Sequence, residues 1–507
     1  MLHHYFRTIL RNMRSLDALI NIIGLSIGFA FFITIFIWIH YERSYDNFHQ
    51  DAASVFRITK EMYATDSLAT PVAVTPGPLA EYLQSTQSAV EKVTRTTLIE
   101  FCIRTDINCL YKKGIAVDSS FLEVFTFPLL KGSASQFGSE ANQIIITERL
   151  AKIFFGEADP IGKTFIIGPF NLLIVAVMKD PPTYTHFYEF DYLIPMDFMS
   201  NNGLITADNW DYSSLYTYVK LNKDSDPAEF EKAIAKTLIE KQTDSNSILK
   251  LQQLQHIHLH SLDLGNDVPG RGNIIYVTIF SWVGALVLLI ACLTYANLTT
   301  ARLFKRNRTV AVRKVLGSST SQIILYAIVE TFLYVFMALI FALLLVWLIL
   351  PRFNELTGLK LFLDFSSTNI FYLLVMVSLT TLLSGLYPAL LLARQQAVES
   401  LKGQAKAGVG ALSIRRILVV TQFSLAIGLV SATFIIQDQL SYINNRELGF
   451  DKEKVISFTA LRKFQPQFES LRSELKALEE VVAVTWHSFP ITFIDQSTGD
   501  VEWPGKA

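Results

Sequence analysis

The sequence predicts an α-helical membrane protein. It has five transmembrane helices, a large α+β extracytoplasmic domain between the first and second, and the start of another such domain at the C-terminus. Three observations predict this. Half of the 507 residues are apolar (51%) and only 18% are charged, against about 25% charged in soluble domains. The apolar residues gather in five runs, each long enough to cross a bilayer, which takes about 20 residues. Basic residues cluster in alternate connections between those runs. A net charge of −1 supplies no field for nucleic acid, and the apolar excess excludes a disordered chain. Three cysteines rule out a disulfide scaffold, and none has zinc-ligand spacing.

Residues 1–17 read as a cytoplasmic amphipathic segment carrying Arg7, Arg11 and Arg14. The first span, 18–40, holds 14 Leu, Ile or Phe between Ala18 and Ile39, which together favour insertion by about 4 to 8 kcal/mol. Its apolar core is too long for a secretory signal, and no small-residue cleavage site follows. The second span is 274–301, the third 322–350, the fourth 365–393 and the fifth 417–437. Between the second and third, residues 302–321 form a loop with Arg302, Lys305, Arg306, Arg308, Arg313 and Lys314. The linker 394–416 is also basic, whereas the short loop 351–364 is balanced. Basic loops stay on the cytoplasmic side. The N-terminus and both basic loops are therefore expected inside, with 41–273 and 438–507 outside.

The 41–273 insert carries 29 acidic against 20 basic residues, the composition of a soluble domain. Gln143–Thr147, Thr164–Ile167 and Asn171–Met178 read as strands, being β-branched and bounded by Gly or Pro. Ala80–Leu83 and the amphipathic Pro227–Glu240 read as helices. Gly156 to Lys163 imitates a phosphate loop, but five residues separate its glycines where the motif has four, and Pro160 removes an N–H. It reads as a turn entering a strand. His256, His258 and His260 alternate, so on a strand they share one face; without an acidic or Cys ligand beside them, the expectation is no metal. A two-residue turn at Thr105-Asp106 places Cys102 opposite Cys109, where an oxidising compartment permits a disulfide; a reduced pair fits equally. No Ser/His/Asp set, paired carboxylates or nucleophile elbow marks a catalytic site, so no catalytic residue is assigned.

In the basic loop, Val310, Val312, Val315 and Leu316 interleave with the cations. That pattern suits a short helix docking into a partner's groove, with Gly317 turning the chain back toward the bilayer. Ordinary flanking charge is the plainer reading. Glu330 is the one charge inside a span, and an acid in the bilayer is costly and a functional candidate. Two roles suit it: a structural hydrogen bond or pairing with a loop arginine, or a part in coupling.

Val312-Arg-Lys-Val-Leu-Gly317-Ser318 resembles the cytoplasmic-loop signature of the MacB/FtsX-like ABC transporter permease family, with Ala311 where that family usually has Glu. Gly385-Leu-Tyr-Pro388-Ala389, followed by Ala397 to Gly403, resembles its exit from helix four. Phe155 to Lys163 and His256 to Ser261 resemble segments of its periplasmic domain. The resemblance implies a bacterial inner-membrane permease with no bound cofactor, whose ATP and Mg sit on a separate ABC ATP-binding subunit. ATP-driven movement then enters through the 302–321 loop and reaches the outer domain by mechanotransmission, for export, efflux or lipoprotein release. A second permease copy or half is implied, and in efflux systems a periplasmic adaptor and outer-membrane channel. Two alternatives are a non-transporting regulator of a periplasmic partner, such as a cell-wall hydrolase, and a membrane-anchored binding module without an ATPase. Arg415-Arg416, the fifth span and Tyr442 to Arg446 echo the first span and its flanks, so the chain reads as the first five-helix portion of a tandem protein.

Overall fold

The computed structural model describes residues 16–62, 71–104, 109–167, 170–242, 246–394, 409–447, 454–457 and 467–487. Most of the 1–17 segment, Ala397 to Gly403 and the end of the chain lie outside these residues. Contacts divide the chain into two units, Met1–Val430 and Ser431–Ala507. In the second, the end of a long helix and a short helix, Phe468–Lys476, are described.

Five helices are long and apolar enough to cross a membrane: α1 (Leu16–Arg43), α2 (Ile274–Val315), α3 (Thr320–Thr357), α4 (Ser367–Arg394) and α5 (Val409–Asn445). Most boundaries differ from the sequence expectation in one direction, because helices run on past the apolar runs; α4 instead starts two residues late, at Ser367. The basic segment is not a loop: α2 continues through it to Val315, and only Leu316 to Ser319 turn. Arg, Leu, Lys and Ala are good helix formers, so nothing after Ala301 ends the helix until glycine appears. Likewise α3 extends to Thr357, which leaves 358–366 as the short loop, and α5 already begins at Val409 within the expected linker.

Helices α1 to α4 pack around Leu25, Phe29, Tyr295, Val335, Ala338, Ala342 and Val377. Lipid tails are as apolar as these side chains, so association depends on close packing through small residues. At Gly28, a Cβ would lie 2.6 Å from Ala291 Cβ on α2. At Gly385, a Cβ would lie 2.9 Å from Thr331 Oγ1 on α3; Ala389, one turn on, is fully buried. The apolar window of α5 is uncovered, though Asn297 Nδ2 donates to Gln422 Oε1 at 3.2 Å.

Between α1 and α2 lies an α/β domain built on an eleven-stranded sheet. Its strands are β1 (Val55–Met62), β2 (Thr75–Pro76), β3 (Val90–Arg104), β4 (Cys109–Val117), β5 (Leu129–Gly132), β6 (Gln143–Thr147), β7 (Thr164–Ile167), β8 (Phe170–Met178), β9 (Tyr192–Pro195), β10 (Ser213–Leu221) and β11 (Ser247–Gln253). The main order is β11-β1-β10-β3-β4-β9-β6-β8-β5, with β2 on β10 and β7 on β3 and β8. Pairing is antiparallel except β4–β9 and β6–β8. One core gathers Phe121, Phe125, Phe187, Tyr218 and Leu254; another holds Ile144, Leu150, Tyr192, Ile194 and Met196.

The phosphate-loop look-alike is a turn: Gly156 (φ +58°) ends the helix Glu148–Phe155, and Gly162 (φ +76°) leads into β7. The expected helix 227–240 is two, Pro227–Ile234 and Thr237–Lys241, separated by a turn at Ala235-Lys236. The β3–β4 hairpin pairs Arg104 with Cys109 and Cys102 with Tyr111, so a two-residue turn does not join it. Four residues, 105–108, separate the strands, and the two cysteines are not directly opposed. Cys102 is disulfide-bonded, and Cys292, buried in α2, is free. The three histidines do not alternate on a strand. Leu254–His256 is a 3-10 turn, and His260 N donates to His256 O at 2.9 Å. Helical spacing puts His256 beside His260, with ring centroids 5.1 Å apart, and sends His258 elsewhere. Among the described residues, no group of three His, Cys, Asp or Glu is placed to hold a metal.

Gly385→Val tests the close helix approach. It should destabilise the bundle by about 1 to 3 kcal/mol, lowering the thermal midpoint in detergent. Gly24→Ala, which meets no atom within 4 Å, should leave the midpoint within experimental error.

Candidate functional site

The sequence-derived candidates converge on the α2–α3 hairpin, at the end of the bundle away from the α/β domain. Fourteen residues of α2 follow Ala301, an extension of about 21 Å at 1.5 Å per residue. Its end carries a Schellman cap: Gly317 N donates to Lys314 O and Ser318 N to Arg313 O, each at 3.0 Å. Gly317 adopts φ +93°, a conformation costly for residues with a Cβ. Ser319 then starts α3 with a capping box, exchanging bonds with Gln322 at 3.1 and 3.4 Å. Both chain directions are thus fixed by four residues, and the hairpin is stiff.

Arg313 and Lys314 do not project freely from it. The Arg313 guanidinium lies 4.3 Å from the centre of the Tyr326 ring on α3. Lys314 Nζ donates to Ala393 O at 2.8 Å, placing a cation at the C-terminal end of α4, where the helix dipole favours it. Val310 and Ala311 face inward, with Val310 against a small core of Ile323, Ala327, Ala389 and Leu392. Val312, Val315 and Leu316 face outward, and Leu316 is 80% exposed. The apolar residues that the sequence shows as one interleaved set are therefore split between an anchor and a free tip. Arg302, Arg306 and Arg308 lie on the helical extension; their side chains are outside the described residues.

Above the hairpin, Glu330 is buried (6% exposed) about 15 Å along α3, within electrostatic reach of Tyr295 on α2. Tyr295 donates to Thr331 Oγ1 at 3.2 Å, and Thr331 donates to Ala327 O at 2.9 Å. Gly385 presses on that same Thr331. Pro388, one helical turn on, removes an N–H from α4. Glu330 and Gly385 thus border one layer that links α2, α3 and α4, which their sequence spacing did not reveal, and Pro388 is buried one turn further along α4.

At the other end, α1 and α2 meet the α/β domain at a junction that sequence reasoning missed. Glu42 Oε2, at the end of α1, lies 2.8 Å from His258 Nε2. The Tyr45 ring stacks on His258 at 3.4 Å between centroids. Gly272, just before α2, donates its N–H to His258 O at 2.9 Å, and a Cβ there would lie 2.6 Å from the imidazole. Behind it, the fully buried Arg57 of β1 pairs with Asp267 and bonds Gln252 Oε1 at 2.7 Å and Ser261 Oγ at 3.2 Å. Arg271 donates to the carbonyls of Ser261 and Leu264 at 2.8 and 2.7 Å. The crowding of charged and aromatic residues from Tyr41 to His49 was the available signal.

Asp46 is wholly buried beside this junction, with φ +59°. His186 Nδ1 lies 3.0 Å from its carboxylate and His49 Nε2 3.7 Å away; Thr185 donates to it at 3.1 Å. His186 Nε2 reaches the Tyr218 hydroxyl at 2.9 Å. Burial alone would raise the Asp46 pKa, but the two imidazoles packed beside the carboxylate, His186 foremost, outweigh it and hold the carboxyl well below the carboxylate range. Burial pushes His49 down from 6.5, and Asp46 only partly offsets this.

Both depressed values act in the same direction. Below 6.5 the unfolded chain takes up a proton at His49 that the folded domain resists, and below 3.8 the same holds at Asp46. Stability of the domain should therefore be full above pH 6.5 and fall on acidification, with a second loss below 3.8. His49→Gln should reduce the first loss in urea titrations at stepped pH, leaving the smaller part that belongs to His260, whose pKa burial also lowers. Separately, Gly272→Ala should displace His258 and raise hydrogen exchange across 254–272, while leaving β6 and β8 protected.

Residues 18–237 match a family model described as the MacB-like periplasmic core domain, and residues 281–397 match the FtsX-like permease C-terminal model. Two solved structures are similar to part of the chain. The periplasmic region of MacB from Actinobacillus actinomycetemcomitans is 15% identical, with a TM-score of 0.32, over 39% of this chain and 89% of that one. The extracellular domain of the noncanonic ABC-type transporter YknZ from Gram-positive bacteria is 15% identical, with a TM-score of 0.31, over 39% of this chain and 99% of that one. No curated protein matches the chain. With the two family models taking in most of its length, one after the other, the chain belongs to the MacB/FtsX-like ABC transporter permease family.

Proposed function

We propose that this permease receives movement from a separate ATP-binding subunit at the tip of the α2–α3 hairpin and delivers it to the α/β domain. In this reading the N-terminus, the hairpin and the 394–416 linker are cytoplasmic and the α/β domain is periplasmic. The positive-inside charge distribution supports that orientation. ATP and Mg belong to the partner subunit, and export, efflux or lipoprotein release is the work done. The observation that carries the reading is the hairpin itself. It is a direct continuation of two spans, capped at both turns, tied through Lys314 to α4, and tipped with exposed Val312, Val315 and Leu316. A push on such a tip moves α2, α3 and α4 together, because a stiff turn and two side-chain ties leave little slack. Three buried hydroxyls in the bundle serve their own helices: Ser26, Thr331 and Thr381 each donate to a carbonyl four residues earlier, at 2.6, 2.9 and 2.7 Å.

Leu316→Asp puts a charge at the centre of the proposed docking patch and leaves the Arg313 and Lys314 contacts intact. It should weaken co-purification of the ATP-binding subunit by about 30-fold, the loss of one interface hot spot of about 2 kcal/mol. Leu356→Asp, exposed at the far end of α3 beyond the apolar run, should not affect pairing. In the same system, Leu316→Cys should react with impermeant maleimide only from the cytoplasmic face. Labelling from the other face, or undiminished co-purification, would remove the proposal.

A further inference from the structure

A cavity of about 800 Å³ opens where α1, α4 and the 358–366 loop meet the underside of the α/β domain, within the roughly 300–1,000 Å³ range of ligand pockets. Its walls change character with depth. Phe32, Phe36, Leu288, Met376 and Leu379 line the deep part, which is apolar throughout. His40, Ser44, Lys360, Asp364 and Asn369 line the mouth, beneath Thr183, whose carbonyl accepts from Tyr41 at 3.3 Å. From Phe32 to the end of α1 at Arg43 is eleven residues, or about 16 Å. That is close to half of the roughly 30 Å hydrocarbon core, so the cavity spans one leaflet, the one adjoining the α/β domain.

The chemistry selects the occupant. A soluble polar ligand or a peptide would bring amides into a wall without donors or acceptors, at a cost of several kcal/mol per unpaired group. An acyl chain brings none. At the mouth, Lys360 is an exposed cation, and Asp364, four residues on, is an anion already accepting from Ser366 N and Asn369 Nδ2, each at 3.0 Å. One charge of each sign complements a zwitterionic headgroup, with phosphate toward Lys360 and ammonium toward Asp364. A purely anionic headgroup would face the Asp364 carboxylate. We infer that this cavity holds one zwitterionic phospholipid from the adjoining leaflet, chains along α1 and α4 and headgroup under the α/β domain. Such a lipid fills the space between a span and the domain that the span supports.

Native mass spectrometry of the full chain tests this, after delipidation and titration with phosphatidylethanolamine or phosphatidylglycerol in mixed micelles. The expected result is one retained phosphatidylethanolamine under conditions that strip surface lipid, and at least about tenfold weaker retention of phosphatidylglycerol. Leu379→Trp, which fills the cavity from a half-exposed position, should lower phosphatidylethanolamine occupancy about tenfold or more. Leu383→Trp, one turn on and outside the cavity, should not. Lys360→Glu, a surface change that does not threaten folding, should also lower occupancy. Equal retention of both lipids, no retained lipid, equal occupancy in Leu379→Trp and Leu383→Trp, or an unchanged Lys360→Glu would each overturn the inference. No nucleotide or ATP-binding subunit takes part, so this result and the coupling experiment fail or succeed independently.

Discussion

Inside a bilayer, apolar side chains gain nothing by leaving lipid for one another, so helices stay together only where their backbones come close. This bundle depends on two such approaches: Gly28 against Ala291 joins α1 to α2, and Gly385 against Thr331 joins α4 to α3. Neither has room for a Cβ. The second carries more than packing, because Thr331 also receives the Tyr295 hydroxyl and lies next in sequence to the buried Glu330. Three helices therefore share one layer, and a shift of any of them is felt by the other two. The hairpin beneath continues helices that are already held together.

That arrangement assigns different physical work to residues that look alike in sequence. Val310, Val312, Val315 and Leu316 form one interleaved apolar set on paper; the helix turns the first inward as an anchor and leaves the rest at the tip. Arg313 and Lys314 look like a pair of free cations, yet one stacks on an aromatic ring and the other caps a helix. Glycine at 317 permits the reversal that makes the hairpin short, and the Ser319 cap starts the return helix at once. Stiffness here comes from local hydrogen bonds, not from burial.

How much was legible in the sequence follows from the range of each interaction. The five spans were readable because composition alone drives insertion, and strands such as Gln143–Thr147 because β-branched runs between turn residues leave few alternatives. The continuation of α2 past Ala301 is not legible, since positive charge marks the edge of the membrane and says nothing of the end of a helix. Three alternating histidines fit a strand's period of two as well as the helical spacing the backbone adopts, so the pattern alone does not distinguish them. The contacts that organise the candidate site are far apart in sequence, Lys314 and Ala393 being 79 positions apart and Glu42 and His258 216. No local pattern encodes such pairs.

The chain passes between bundle and sheet twice, and both passages are gathered around a single imidazole, that of His258, held by Glu42 and Tyr45 on one side and Gly272 on the other. A body fastened to its support around one spot, with a further tie from Tyr41 to Thr183, tilts and swivels more readily than it slides. The two passages then act as a fulcrum, and rotation of one span against the other swings the far rim of the sheet through an arc that lengthens with distance from that spot.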